Sequence, residues 1–196
     1  MNKLDRDKNI TEDKNNRSVS VIKTTVANLD LQHVLPQRAG IIMYTSVDGA
    51  IYFGLGLDSR THDLTDFGGR IYYPSDKDVV QGALREFREE TLDIFETIKR
   101  EDIMKCPVIY DDNNLIIFVH INIDPNLVCK VFNLKYEQTI SSCENAVGRK
   151  NKRYPEVCGI TWLSWEEFQH SINSKDIMFS RVRKFLTRAN DFSYLL

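Results

Sequence analysis

A chain of 196 residues, 42% apolar and 28% charged, has the length and composition of one ordinary globular domain, which excludes a disordered chain or a membrane protein as the expectation. The formal net charge of −2 and a pI near 6.1 exclude a general attraction to polyanions, so a phosphate-bearing partner must be held by a local basic patch or through a metal. Met1 to Arg6 leads into polar sequence with no apolar signal region, and no run of about 18 apolar residues occurs. The expectation is a soluble protein of the cytoplasm or another intracellular compartment, not secreted and with no membrane partner.

Residues 1–18, rich in Asn, Lys, Asp, Glu and Arg, read as a mobile polar tail, and a single domain is expected over 19–196. Val19 to Val26 reads as a first strand. Arg38 to Thr45 reads as a buried strand, followed by turn chemistry at Ser46-Val47-Asp48-Gly49 and a partner strand over Ala50 to Leu57. After Leu64-Thr65-Asp66-Phe67-Gly68-Gly69 comes an extended stretch, Arg70 to Tyr73, then a helix start at Pro74-Ser75-Asp76 and a helix over Lys77 to Thr91. Val108 to Tyr110 and Leu115 to Ile123 flank Asp111-Asp112-Asn113-Asn114 as a second hairpin. Val157 to Leu163 reads as the last strand, and Ser164 to Ile172 and Ser180 to Ala189 as helices, the first with Ser164 and Glu167 in capping-box spacing. Strands interleaved with helices predict an α+β domain, layered as an α/β/α sandwich with a mixed β-sheet. Cys106, Cys129, Cys143 and Cys158 form no C-x-x-C pair and the four histidines are scattered, which favours reduced thiols over a zinc site.

The helix over Lys77 to Thr91 carries the chemistry. At about 100° per residue, Val80, Ala83, Leu84 and Phe87 share the stripe that packs on the core. Glu86, Glu89 and Glu90 share another stripe beside it. Like charges at these spacings, near the negative end of the helix dipole, cost a few tenths of a kcal/mol each. A divalent cation reverses the sign of those terms, because carboxylate oxygens suit hard Mg²⁺ or Mn²⁺. On helix pattern alone the alternative stands beside it: a solvated face in which Arg85 and Arg88 neutralise the glutamates.

Gly68-Gly69-Arg70 through Gly82-Ala83-Leu84-Arg85-Glu86-Phe87-Arg88-Glu89-Glu90-Thr91 resembles the Nudix box, G-x5-E-x7-R-E-U-x-E-E-x-G-U with U apolar. Arg85 to Glu90 matches every fixed position of its second half. The chain departs from the box in three places: two extra residues lie between Gly69 and Arg85, Lys77 stands at the first Glu with Asp76 and Asp78 beside it as substitutes, and Leu92-Asp93 replace the final Gly and apolar residue. The resemblance implies a Nudix-like fold and a nucleotide pyrophosphohydrolase that cleaves a phosphoanhydride bond in a nucleoside diphosphate linked to another group. It implies Glu86, Glu89 and Glu90 with the Gly69 carbonyl as ligands of Mg²⁺ or Mn²⁺, and Arg85 as their orienting partner. Glu86, or an acid outside the box, would take the proton. Glu156 resembles the acid that precedes the final strand in many members, against the alternative of an ordinary loop carboxylate, and Glu137 and Glu144 are weaker candidates. Glu86→Gln or Glu90→Gln is expected to remove activity and leave the metal-free melting temperature nearly unchanged.

The partner implied is a nucleotide-type small molecule, with a nucleotide sugar, a dinucleotide polyphosphate and the cap of messenger RNA as choices. The basic run Gly148-Arg149-Lys150-Asn151-Lys152-Arg153 reads either as a guide for such a substrate or as a solvated loop. Tyr52, Phe53, Tyr72, Tyr73, Phe118 and Trp162 read either as base-stacking residues or as core. Oligomeric state is left open, a homodimer included. The competing reading is a Nudix-like module that has lost catalysis and binds a nucleotide or a protein.

Overall fold

The computed structural model describes residues 21–145, 154–189 and 192. The expected tail, the start of the domain at Val19 and the basic run 148–153 lie outside them.

The described residues form one mixed eight-stranded sheet with helices on both faces, the α/β/α layering that the alternation of elements predicts. The strands are β1 Ile22–Thr25, β2 Arg38–Val47, β3 Ala50–Asp58, β4 Leu64–Thr65, β5 Phe67–Arg70, β6 Pro107–Tyr110, β7 Asn114–His120 and β8 Val157–Ser164. The helices are α1 Val79–Glu90, α2 Arg100–Ile103, α3 Pro125–Asn145, α4 Trp165–Asn173 and α5 Ser180–Ala189. Strand β2 is the spine: it runs parallel to β7 along residues 38–44 and antiparallel to β5 at its start and to β3 at its end. Strand β8 then pairs with β3 and closes that side.

Because both faces of β2 are covered, its sequence is apolar without alternation. Ala39, Ile41 and Met43 meet α1 on one face, while Ile42 meets α4 and α5 on the other. The two hairpins form where turn chemistry placed them. Asp48 and Gly49, at φ 51° and 81°, make the left-handed pair that joins β2 to β3, and Asp111 receives the backbone N–H of Asn113 and Asn114 between β6 and β7. Ser164 and Glu167 satisfy both halves of the capping box on α4.

The first strand ends at Thr25, where a 3-10 turn takes up Val26–Asn28, and β7 ends at His120 rather than Ile123. Two further boundaries differ from expectation near the site. The strand after the Gly-Gly pair is Phe67–Arg70, not Arg70 to Tyr73, because Gly68 lies so close to Gly40 of β2 that only residues lacking a Cβ fit there. Beyond it the Asp76 carboxylate accepts the Tyr72 N–H and bends the chain into a turn. Helix α1 accordingly starts at Val79 with Asp78 as its N-cap, receiving the Gln81 N–H at 2.9 Å, rather than at Pro74-Ser75-Asp76. Helix α3, 21 residues long, was not foreseen. It has only two buried residues, Val128 and Phe132, and packs against β8.

Candidate active site

Strand β5 ends at Gly69 and Arg70, and α1 returns its last two turns over that strand end. The stripe Val80, Ala83, Leu84 and Phe87 is buried as its spacing predicts, which fixes the rotation of α1 and places the glutamates beside the sheet edge. Glu86 lies so close above Gly69 that a Cβ there would collide with its carboxylate. Gly69 is thus needed for close approach of backbone to acid.

Arg85 is the hub of this arrangement. Its Nε and Nη2 donate to the two oxygens of Asp76 at 3.0 and 2.9 Å, and Nη2 also donates to the Arg70 carbonyl at 3.1 Å. Its Nη1 donates to Glu86 Oε1 at 2.7 Å and reaches Glu89 Oε1 at 3.5 Å. The Asp76 side chain is 2% exposed. Asp76 therefore supplies the acid that Lys77 does not, and Asp78, the other substitute, caps the helix and pairs with Arg100. The hydrogen bonds that Arg85 donates hold the Asp76 carboxyl below the usual range, and the acceptance of those bonds by Asp76 and Glu86 pushes the guanidinium further up.

Glu86, Glu89 and Glu90 meet Glu156, Leu92, Thr139, Tyr154 and Pro155 around a cavity of about 210 Å³. All four acids singled out in the sequence are therefore brought to one place. Glu137 and Glu144 lie on α3 and line no part of it. A larger concavity, about 820 Å³, lies against the other side of α1 and shares Arg85 and Glu89, but not Glu86 or Glu90. Burial raises the pKa of Glu86 despite Arg85, with Glu89 and Glu156 adding to the rise. Glu90 is raised well above the usual range by burial and then by Asp66, against the opposing effects of Arg38 and a Gly68 backbone hydrogen bond. Its Oε2 is enclosed and has no hydrogen-bond partner.

Beneath Glu90 lies an ion pair that the sequence did not reveal. Arg38, at the start of β2, donates through Nη1 and Nη2 to the two oxygens of Asp66, each at 2.7 Å, and through Nη2 to the Gly68 carbonyl at 2.8 Å. The partners are 28 residues apart and both are buried. The absence of a side chain at Gly40 makes room for the Asp66 carboxylate, and that glycine within an apolar strand was the only signal. The exit of α1 is unusual as well: Leu92 and Asp93 both adopt left-handed conformations, at φ 55° and 60°, and only the first stands where the box has glycine. Of the six aromatics considered for base stacking, Phe53 and Phe118 are core, Tyr72 and Tyr73 are exposed, the latter with its hydroxyl donating to the Pro36 carbonyl, and Tyr52 and Trp162 line a separate concavity.

A carboxylate helix held by Arg85 over a Gly-Gly strand on a mixed sheet decides the assignment of the fold. The fold is Nudix-like. Among solved structures, the chain is similar to an Ap4A hydrolase of C. elegans at 16% identity and a TM-score of 0.41, covering 83% of this chain and 99% of that chain. It is also similar to the NUDIX domain of NrtR from Shewanella oneidensis, complexed with ADP ribose, at 11% identity and a TM-score of 0.42, covering 87% of this chain and 96% of that chain. No family model matches the chain, and no curated protein matches it. No helix among the described residues is long and apolar enough to cross a membrane.

The donor set of this site fits a hard divalent cation: several carboxylates around one cavity, with one of their oxygens enclosed and unpartnered. Among the described residues no three His, Cys, Asp or Glu side chains already surround a common point. Glu86 and Glu89 are instead engaged with Arg85. Mg²⁺ needs only one or two carboxylates, with waters and substrate phosphates completing its shell.

Proposed function

We propose that the chain is a divalent-metal-dependent hydrolase that cleaves a phosphoanhydride bond of a nucleotide-type substrate. The observation that carries this reading is the meeting of Glu86, Glu89, Glu90 and Glu156 around one cavity, with the enclosed Oε2 of Glu90 lacking any partner. Glu86, Glu89, Glu90 and the Gly69 carbonyl are the residues that would hold Mg²⁺ or Mn²⁺. When bound, the ion supplies neutralisation of the diphosphate and a lowered pKa for an attacking water.

The remaining work falls to the chain's own side chains. Asp76 fixes the plane of the Arg85 guanidinium, and Arg85 in turn orients Glu86 and leaves one of its oxygens available. Glu86 or Glu156, across the same cavity, takes the proton from the water. Tyr154, Pro155 and Leu92 line the same cavity.

A panel of nucleotide sugars, ADP-ribose, dinucleotide polyphosphates and capped RNA, each incubated with and without Mg²⁺ or Mn²⁺, tests the reading. Expected is metal-dependent release of a nucleoside monophosphate, or of m7GDP from a cap, abolished in Glu86→Gln. Tight nucleotide binding with no turnover under any metal would overturn it in favour of a Nudix-like binding module.

A further inference from the structure

Helix α5 has no acid anywhere in Ser180–Ala189. Its apolar side, Val182, Phe185, Leu186 and Ala189, is buried against the sheet, so Arg181, Arg183, Lys184 and Arg188 are confined to the outer half of the helix. With Ser180, Thr187 and Asn114 they line a concavity of about 590 Å³ whose wall contains no carboxylate. Arg188 is neutralised by the buried Asp111. Among the described residues Arg181, Arg183 and Lys184 have no carboxylate partner, and the enclosed Nε of Arg183 has no acceptor. Solvated basic helix faces are ordinarily interleaved with Glu at i,i+4, which offsets like-charge repulsion. Here nothing offsets it, in a chain whose net charge is −2.

The position of this concavity gives it a use. Asn114 pairs with Arg38 in the ladder between β7 and β2, and Arg38 is the residue that holds Asp66 and Gly68 beneath Glu90. Helices α1 and α5 cover opposite faces of the sheet, so the basic wall and the carboxylate cavity adjoin the same end of β2 from its two sides. A polymer chain lying in the concavity passes round that sheet end.

We propose that this face of α5 binds the sugar-phosphate backbone of a nucleic-acid strand. Three unbalanced cations attract phosphates, and Ser180 and Asn114 add the hydroxyl and amide donors that phosphate oxygens accept from. The side chains that line the wall are all polar or charged, so the wall itself offers no apolar face to a bilayer. The inference goes beyond the hydrolase reading and does not depend on turnover.

Fluorescence anisotropy with a labelled single-stranded RNA of mixed sequence, in EDTA so that no hydrolysis occurs, tests it. With three phosphates engaged, log Kd should rise with log salt at a slope of about 2. Arg181→Ala with Lys184→Ala should cut that slope by roughly 1.4 and weaken binding on the order of tenfold at about 0.1 M salt. Both side chains are exposed, so the melting temperature of the double variant should match that of the parent. Lys130→Ala with Lys135→Ala on α3 removes the same charge and should leave Kd within about twofold. Glu86→Gln should bind RNA as the parent does, which separates this inference from the catalytic one. No binding, a salt-independent Kd, equal weakening by both double variants, or retention of phosphatidylserine vesicles or poly-glutamate in place of RNA would each overturn it.

Discussion

Glu90→Gln removes a charge whose Oε2 is enclosed without a partner and which lies within electrostatic reach of Asp66 and Glu86. Burial raises the folded-state pKa of this carboxyl above the roughly 4.3 of an unfolded glutamate. The folded chain then binds the proton more tightly than the unfolded chain, so the stabilisation present below about pH 4 is lost as pH rises toward the folded value. An enclosed oxygen without a partner costs the folded state about 1–3 kcal/mol. Removing the charge there should stabilise the metal-free protein at neutral pH by up to about that amount, roughly 2–12 °C in Tm at this chain length. The sequence alone suggested no change in melting temperature for either glutamate, and the enclosure of Glu90 revises that expectation for this residue. Scanning calorimetry in EDTA should show the gap between variant and parent opening as pH rises above the roughly 4.3 of an unfolded glutamate. Adding Mg²⁺ at tenfold over its Kd should then stabilise the parent by about 1.4 kcal/mol and the variant by much less. A metal-free Glu90→Gln protein that melts at or below the parent temperature across that range would refute the reasoning.

Gly69→Ala drives a Cβ into the Glu86 carboxylate, so kcat should fall by about two orders of magnitude, with the far-ultraviolet circular dichroism unchanged. Asp76→Ala leaves Arg85 without its buried clamp; urea unfolding should show a loss of about 2 kcal/mol, together with a fall in kcat because Glu86 is no longer held. Arg38→Met strands Asp66 in the interior and should cost about 3–5 kcal/mol, whereas adding Asp66→Asn to it should recover most of that loss. If the double variant is no more stable than Arg38→Met alone, the buried pair is not what makes position 38 critical.

The parts of the fold legible in the sequence are those set by local chemistry. The hairpins announce themselves in Asp48-Gly49 and Asp111 to Asn114, α4 in its capping box, and α1 in its apolar stripe. Helix α3 escaped notice because two buried anchors in 21 residues impose almost no pattern, and its other apolar residues, among them Leu127, Val131 and Leu134, are exposed. At the site, the four acids were visible because three share a helix stripe and Glu156 precedes a clear strand. The Arg38–Asp66 pair was not, since sheet pairing rather than sequence proximity creates it. Nor could spacing along the helix tell that Glu90 is enclosed while Glu89 is exposed, because that depends on which strand lies beneath each turn.

The grip of Asp76 on Arg85 ties together two oddities of the sequence that otherwise read as independent drift. The turn from Tyr72 to Asp76 lengthens the connection just enough for a short acid, nine residues before the arginine, to approach it from the loop side. A glutamate at 77 would then be redundant, and trimming the loop by two residues would pull Asp76 out of reach. Insertion and replacement are one invention, and natural variants of this chain should gain or lose them as a unit.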